Sequence, residues 1–271
     1  MTDSINNPSK RIAIGLEYDG SNYHGWQSQE AHLITVQNEV ETAFSKVADQ
    51  PIRIYCAGRT DVGVHAVNQV IHFDTDKKRT IDAWVLGANS YLKKDIRVKW
   101  AQEMPSDFHA RFSAIARHYR YIIHNSKQQS ALLRNRACWY PWQLDANAMD
   151  KAIAYLLGEH DFSAFRASSC QSLSTNRCVH IAQVTRYEDC ISIEIKANAF
   201  LHHMVRNIVG ALFLIGRGEK QPIWMKELLD GRDRTQGGVT AKANGLYLLA
   251  VTYRSEYSLP QMTTSHMRAV F

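Results

Sequence analysis

The chain is 271 residues long and has no apolar run near the roughly 18 residues that a membrane-spanning helix requires. Its opening residues, Met1 to Lys10, hold neither a charged leader nor an apolar signal core, so a soluble, cytoplasmic protein is expected. No G-x-x-x-x-G-K-S/T occurs and no G-x-G-x-x-G opens a helix, so nucleotide hydrolysis and nicotinamide chemistry lack their usual anchors and no cofactor is expected. The five cysteines, Cys56, Cys138, Cys170, Cys178 and Cys190, are odd in number and show no C-x-x-C spacing, which reads as reduced structural thiols. Cys170, Cys178 and His180 fit no common zinc pattern, and no metal site is expected. No low-complexity linker divides the chain.

What is present is positive charge and length. A formal net charge of +6 and an isoelectric point near 9.0 suit a polyanionic partner, although basic surfaces also serve solubility alone. Arg111, Arg117, Arg120, Arg134, Arg136, Arg166 and Arg177 interleave with Phe112, Tyr119, Tyr121, Trp139, Tyr140, Trp142, Phe162 and Phe165 through the middle of the chain. Cations among aromatics suit phosphate contact with base stacking; strand alternation also sends one set to the core and the other to the outer face.

The length allows two domains. Periodicity predicts a strand over 11–18, a helix over 35–47 capped by Thr35, strands over 52–56 and 68–74, a helix over 81–92 and a strand over 96–101. The second half repeats that β-α-β-β-α-β order: a strand over 117–124, a helix over 146–157, strands over 179–187 and 191–197, a helix from about Leu201 to Ile215, and a strand over 246–254. A further helix near 222–229 precedes the last strand. The expected layout is an N-terminal tail over 1–10, an α+β subdomain over 11–106, a second over 107–254, and a loosely held polar tail over 255–271. The boundary is placed at Met104-Pro105-Ser106-Asp107.

The most informative stretch is Gly58-Arg59-Thr60-Asp61-Val62-Gly63-Val64-His65-Ala66. It lies between two strand-like runs, which would hold the turn at a sheet end. Asp61 has no second carboxylate in the turn to share acid-base work, and Arg59 is close enough in sequence to keep it ionised. A carboxylate so placed serves as a nucleophile or a base, or caps its own turn.

This stretch resembles the active-site signature of the tRNA pseudouridine synthase A family. Four more segments agree in order: Tyr18-Asp19-Gly20-Ser21-Asn22-Tyr23-His24-Gly25-Trp26-Gln27; Phe108-His109-Ala110-Arg111-Phe112-Ser113 with Arg117-His118-Tyr119-Arg120-Tyr121; Phe200 to Gly210; and Gly245-Leu246-Tyr247-Leu248. The resemblance implies two β-α-β-β-α-β (ferredoxin- or RRM-like) subdomains, with antiparallel sheets flanking a central basic cleft. It implies conversion of uridine to pseudouridine at positions 38, 39 and 40 of the tRNA anticodon stem-loop, with Asp61 as nucleophile. The substrate-binding residues it implies are Arg59, Tyr119, Arg206, Leu246 and Arg111, with Arg206 pairing with Asp61 and Tyr119 stacking on the uracil. A homodimer that binds tRNA across two subunits is also implied. Lys242 departs from the pattern, since many relatives carry proline there.

Two other readings stand beside this one. Element order and basic-aromatic composition equally suit a non-catalytic RNA-binding module or tRNA chaperone. A metal-dependent nuclease would need several clustered acids. His202 and His203, placed on the helix from Leu201, would point about 100 degrees apart and face RNA or solvent rather than one ion.

Overall fold

The computed structural model describes residues 9–30 and 32–260. The chain divides into two compact units, the first running to Ile115 and resuming at Val251, the second spanning Ala116–Ala250.

The first unit contains β1 (Lys10–Tyr18), α1 (Val36–Ala48), β2 (Tyr55–Cys56), β3 (His65–Thr75), α2 (Ala88–Tyr91) and β4 (Ile96–Met104). A π-helical turn over Ala83–Gly87 leads into α2. β1 lies antiparallel between β4 and β3, with Ile14 opposite both Ala101 and Ile71, and β2 adds to β3. Helix α1 starts where expected, because the Thr35 hydroxyl accepts the Asn38 N–H at 3.3 Å. Its buried face, Val36, Val40, Ala43, Phe44 and Ala48, covers the sheet, and the Phe44 ring meets those of Phe73 and Trp84 at 5.1 and 6.3 Å. Over the stretch expected as the second helix, Ile81 is exposed, while Trp84, Ala88 and Leu92 are buried.

The second unit contains most of β5 (Ala114–His124), β6 (Cys138–Trp139), α3 (Ala146–Ile153), β7 (Gly158–Asp161), β8 (Asn176–Tyr187), β9 (Cys190–Ala197), α4 (Met204–Gly216), α5 (Trp224–Gly231) and the larger part of β10 (Leu246–Tyr253). Its strands follow the order β10-β5-β9-β8-β7, and β6 runs parallel to β5. If β6, β7 and α5 are set aside as insertions, each unit shows one pattern, with its strands in the order fourth, first, third, second: β4-β1-β3-β2 and β10-β5-β9-β8. That order is the one a split β-α-β repeat produces. The short strands β6 and β7 lie outside the sequence expectation because a two- to four-residue strand carries too little periodicity to read.

The first unit continues past the boundary expected at 106. Phe108 and Ala110 are fully buried against Ala13, Val70, Met104 and Tyr257, and the Arg11 guanidinium donates to the Ser106 and Phe108 carbonyls at 2.5 and 2.7 Å. The expected loose tail is also revised at its start: Tyr257 is buried with its ring 5.1 Å from Phe108, and its carbonyl accepts from Gln102 at 3.1 Å. An aromatic residue in a polar stretch was the available signal. Lys10, expected in the N-terminal tail, already pairs with Thr75 in the sheet. The remainder of both tails, residues 1–8 and 261–271, lies outside the described residues.

Candidate active site

In the first unit, Asp61 occupies the first position of a four-residue turn that the Val64 N–H closes onto the Asp61 carbonyl at 3.1 Å. Gly63 sits third with φ 76°, the conformation a type II turn demands there and glycine supplies at least cost. Thr60, next to Asp61, is buried, and its hydroxyl meets the Tyr18 hydroxyl at 2.8 Å. Gln69, fully buried on β3, receives the Gly58 N–H at 3.3 Å and donates to the Gly58 carbonyl at 2.6 Å. Hydrogen bonds therefore fix the chain leading into the turn at Gly58 and Thr60, where an unmade buried bond would cost roughly 1–3 kcal/mol.

The Tyr18–Gln27 segment braces this turn from behind. The Thr60 carbonyl accepts the Trp26 N–H at 2.9 Å, and the first N–H groups of α1, on Val36 and Gln37, donate to the Gly25 and Trp26 carbonyls at 3.2 and 3.0 Å. Backbone meets backbone so closely that a Cβ on Gly20 would lie 2.0 Å from the Val64 oxygen. Asp19 Oδ1 stands 3.0 Å from Nδ1 of the buried His65. Burial works to raise the Asp19 carboxyl, but hydrogen bonds from His65 and Ser21 outweigh it and hold the group well below the usual carboxylate range. The segment thus holds a buried Trp26 and serves as scaffold. Tyr18 and His65 stand in segments that carry the resemblance but had no role of their own there, and Gln69 was missed; its signal was a polar side chain in the strand run over 68–74.

Asp61 is half-buried, whereas Arg59 and Arg111 are exposed. The two arginines bear on one neighbour: burial drives the Cys56 thiol up to about 12, and both cations pull against that rise.

The second unit holds Tyr119, Arg206 and Leu246. Tyr119, on β5 opposite Ile195, is buried, and its ring centre lies 4.8 Å from that of Phe200 in an edge-to-face arrangement. Tyr121, two residues on and fully buried, donates to the Lys242 carbonyl at 2.7 Å and is the structural member of the pair. Lys242 adopts φ −60°, the angle a proline ring imposes, so its departure from the family pattern keeps the loop geometry. Arg206, in the first turn of α4, donates from Nε to the Ala241 carbonyl at 2.8 Å, while the Ala241 N–H returns to the Arg206 carbonyl at 3.1 Å. The 241–246 stretch thereby links Arg206 to β5 and ends on Leu246, which is buried at the start of β10.

Asn207 was also missed. It is buried, gives its amide to the Phe165 carbonyl at 2.8 Å, and accepts from Thr240 and Arg234 at 2.7 and 3.0 Å. Helix α4 begins at Met204, three residues later than expected, so His202 and His203 precede it. His203 has φ 61°, and the two rings lie 3.9 Å apart, so helical spacing does not separate them. Among the described residues, no helix is long and apolar enough to cross a membrane.

Two repeated β-α-β-β-α-β units, one presenting an aspartate on a backbone-clamped turn, define an α+β protein of duplicated split β-α-β architecture. A family profile described as tRNA pseudouridine synthase matches residues 15–113 and 152–254. Relatives bearing the name tRNA pseudouridine synthase A include one from Vibrio parahaemolyticus, 54% identical over 250 residues covering 92% of this chain and 94% of that one. One from Legionella pneumophila is 54% identical over 251 residues (93% and 95%), and one from Shewanella loihica is 53% identical over 252 (93% and 96%). The chain belongs to the tRNA pseudouridine synthase family. Arg59, Asp61, Arg111, Arg206 and Leu246 fall inside the matched residues, and Tyr119 falls between the two matched stretches.

Proposed function

We propose that this protein isomerises uridine to pseudouridine at positions 38, 39 and 40 of the tRNA anticodon stem-loop, with Asp61 as the nucleophile. The bond from the ribose C1′ to uracil N1 breaks, the base turns, and C1′ joins uracil C5. The C5 hydrogen leaves as a proton and N1 gains one, so no redox equivalent and no activated donor is consumed. A single carboxylate suffices, by adding to the sugar or the ring.

The observation that supports this reading best is the Asp61 turn, whose neighbours Gly58 and Thr60 are fixed by Gln69 and Tyr18 and whose third position is a left-handed glycine. Preorganisation of that kind is what a reacting group needs, and a passive RNA binder gains nothing from a carboxylate facing phosphate. Arg206, steered by its bond to Ala241, is the cation proposed to partner Asp61, and Tyr119 and Leu246 hold the uracil. Arg59 and Arg111 take the RNA backbone, helping to hold the target nucleotide out of its stack at a cost of a few kcal/mol. The protein works in the cytoplasm as a homodimer; light scattering at micromolar concentration reads the stoichiometry, and monomers would overturn that part.

The decisive assay is tritium release from tRNA carrying uridine labelled at C5. Asp61→Ala is expected to lose at least about 10³-fold in rate while still binding tRNA. Release at the wild-type rate would overturn the assignment, and no release by the wild type would favour the RNA-binding module.

A further inference from the structure

Phe112 is 75% exposed, yet it heads a continuous stair of rings in the first unit. The His109 ring lies 4.4 Å from it, His72 lies 4.5 Å from His109, and Tyr55, itself 51% exposed, lies 5.2 Å from His72 at a 24° tilt. The lowest rung is fixed by the sheet, since His72 on β3 is buried and pairs in register with Tyr55 on β2.

Both imidazoles are neutral. His72 Nδ1 accepts the Ala110 N–H at 3.2 Å, and His109 Nδ1 accepts those of Arg111 and Phe112 at 3.1 and 3.3 Å; a nitrogen that accepts carries no proton. Burial also drives His72 down to about 4 and His109 in the same direction. The acid bearing on both rings, Asp74, is engaged by Arg11 at 2.7 Å. The turn carrying Phe112 is closed again by His109 N–H to Ser113 Oγ and Ser113 N–H to the His109 carbonyl, each 2.9 Å. An apolar ring is thus held in solvent by an ordered turn, so its ordering entropy is spent before any ligand arrives.

Cations frame the stair. The Arg111 guanidinium stands 5.4 Å from the Phe112 ring, and Arg59 joins it in acting on Cys56, the neighbour of Tyr55.

We infer that the stair Phe112–His109–His72–Tyr55 is a stacking site for an unpaired nucleobase of RNA, with Phe112 taking the base face and Arg111 the adjoining phosphate. It rests on the proposed action on tRNA and adds to it a contact apart from the reacting uridine. A stack of this kind is tolerant of base identity, because every base offers a π face, and it is salt-insensitive at the ring and salt-sensitive at the arginine.

The test measures the Kd of the full-length protein for an unmodified tRNA transcript and for a decamer of uridine, using wild type, Phe112→Leu, Phe112→Trp and Arg111→Gln. Phe112→Leu keeps apolar bulk and removes the π face, so the Kd for both probes is expected to rise by about 5- to 100-fold with an unchanged salt slope. Phe112→Trp holds within about twofold. Arg111→Gln lowers the salt slope by about one charge. Wild-type affinity in Phe112→Leu overturns the inference, as does a Phe112→Leu protein that changes only its oligomeric state, which would assign the ring to a contact between copies. Absence of tritium release by the wild type would instead strike the proposed reaction and leave the uridine-decamer comparison intact.

Discussion

Gly25→Ala tests the claim that close backbone contact holds the Asp61 turn. Gly25 has φ 79°, and a Cβ there would lie 2.7 Å from the Thr60 oxygen, 3.1 Å from the Asp61 carbonyl carbon and 3.2 Å from the Val62 nitrogen. An L-residue in the left-handed region costs roughly 1–2 kcal/mol. Crowding against backbone that cannot rotate away adds about 1–3 kcal/mol. Together these predict a loss of about 2–5 kcal/mol, against a typical domain stability of about 5–15 kcal/mol. Gly218→Ala separates the two contributions: Gly218 has nearly the same φ, 77°, with nothing within 4 Å of its added Cβ, so only the backbone cost applies. Urea unfolding of each variant against wild type should show the second loss smaller by about 1–3 kcal/mol. Activity separates them further, because the displaced atoms in Gly25→Ala belong to residues 60–62. A shift near 1 Å in a reacting group costs about 100-fold in rate, whereas Gly218→Ala should keep the wild-type kcat in tritium release. Equal destabilisation by the two substitutions, or full kcat in Gly25→Ala, would refute the reasoning.

Three further outcomes follow from the same physics. His118 Nε2 stands 2.9 Å from Glu194, and together with Arg120, which donates to the carboxylate at 2.7 and 3.0 Å, it outweighs burial and brings the carboxyl down to about 2. Because the folded value is depressed, the stabilisation is complete above an ordinary glutamate value of about 4.3 and drains away as pH falls toward 2. The stability gap between wild type and Glu194→Gln, followed by thermal melts, should therefore close between about pH 5 and pH 2; a constant gap would contradict the pairing. Asn207→Leu strands the Phe165 carbonyl and the Arg234 and Thr240 donors, and should cost about 2–5 kcal/mol in urea unfolding. An unchanged midpoint would show that network to be idle. Binding of tRNA should weaken steeply between 50 and 200 mM salt, by at least about tenfold, and a flat response would contradict phosphate contact by the arginines.

Much of this protein was legible in the chain because it is local. Thr35 capping α1, the strict alternation of β9, and Gly63 in a turn that requires positive φ depend on residues a few positions apart. The five ordered segments pointed to the family before any fold was described, and the profile and relatives agree. Short strands β6 and β7, the start of α4 and the boundary near 115 were not legible, since each is set by packing rather than by periodicity. Phe108 joins the first unit because it fills space beside Ala13 and Tyr257, residues about 100 and 150 positions away.

The sequence by itself determined the repeated element order and the aspartate turn with its glycine punctuation, since covalent neighbours and side-chain period fix those. Only the tertiary structure decided that Tyr18, Gln69 and Gly25 hold the Asp61 turn and that His72 underlies Phe112. Those relations join residues far apart in the chain, and burial turns each hydrogen bond or close contact among them into an energetic requirement that no linear spacing encodes.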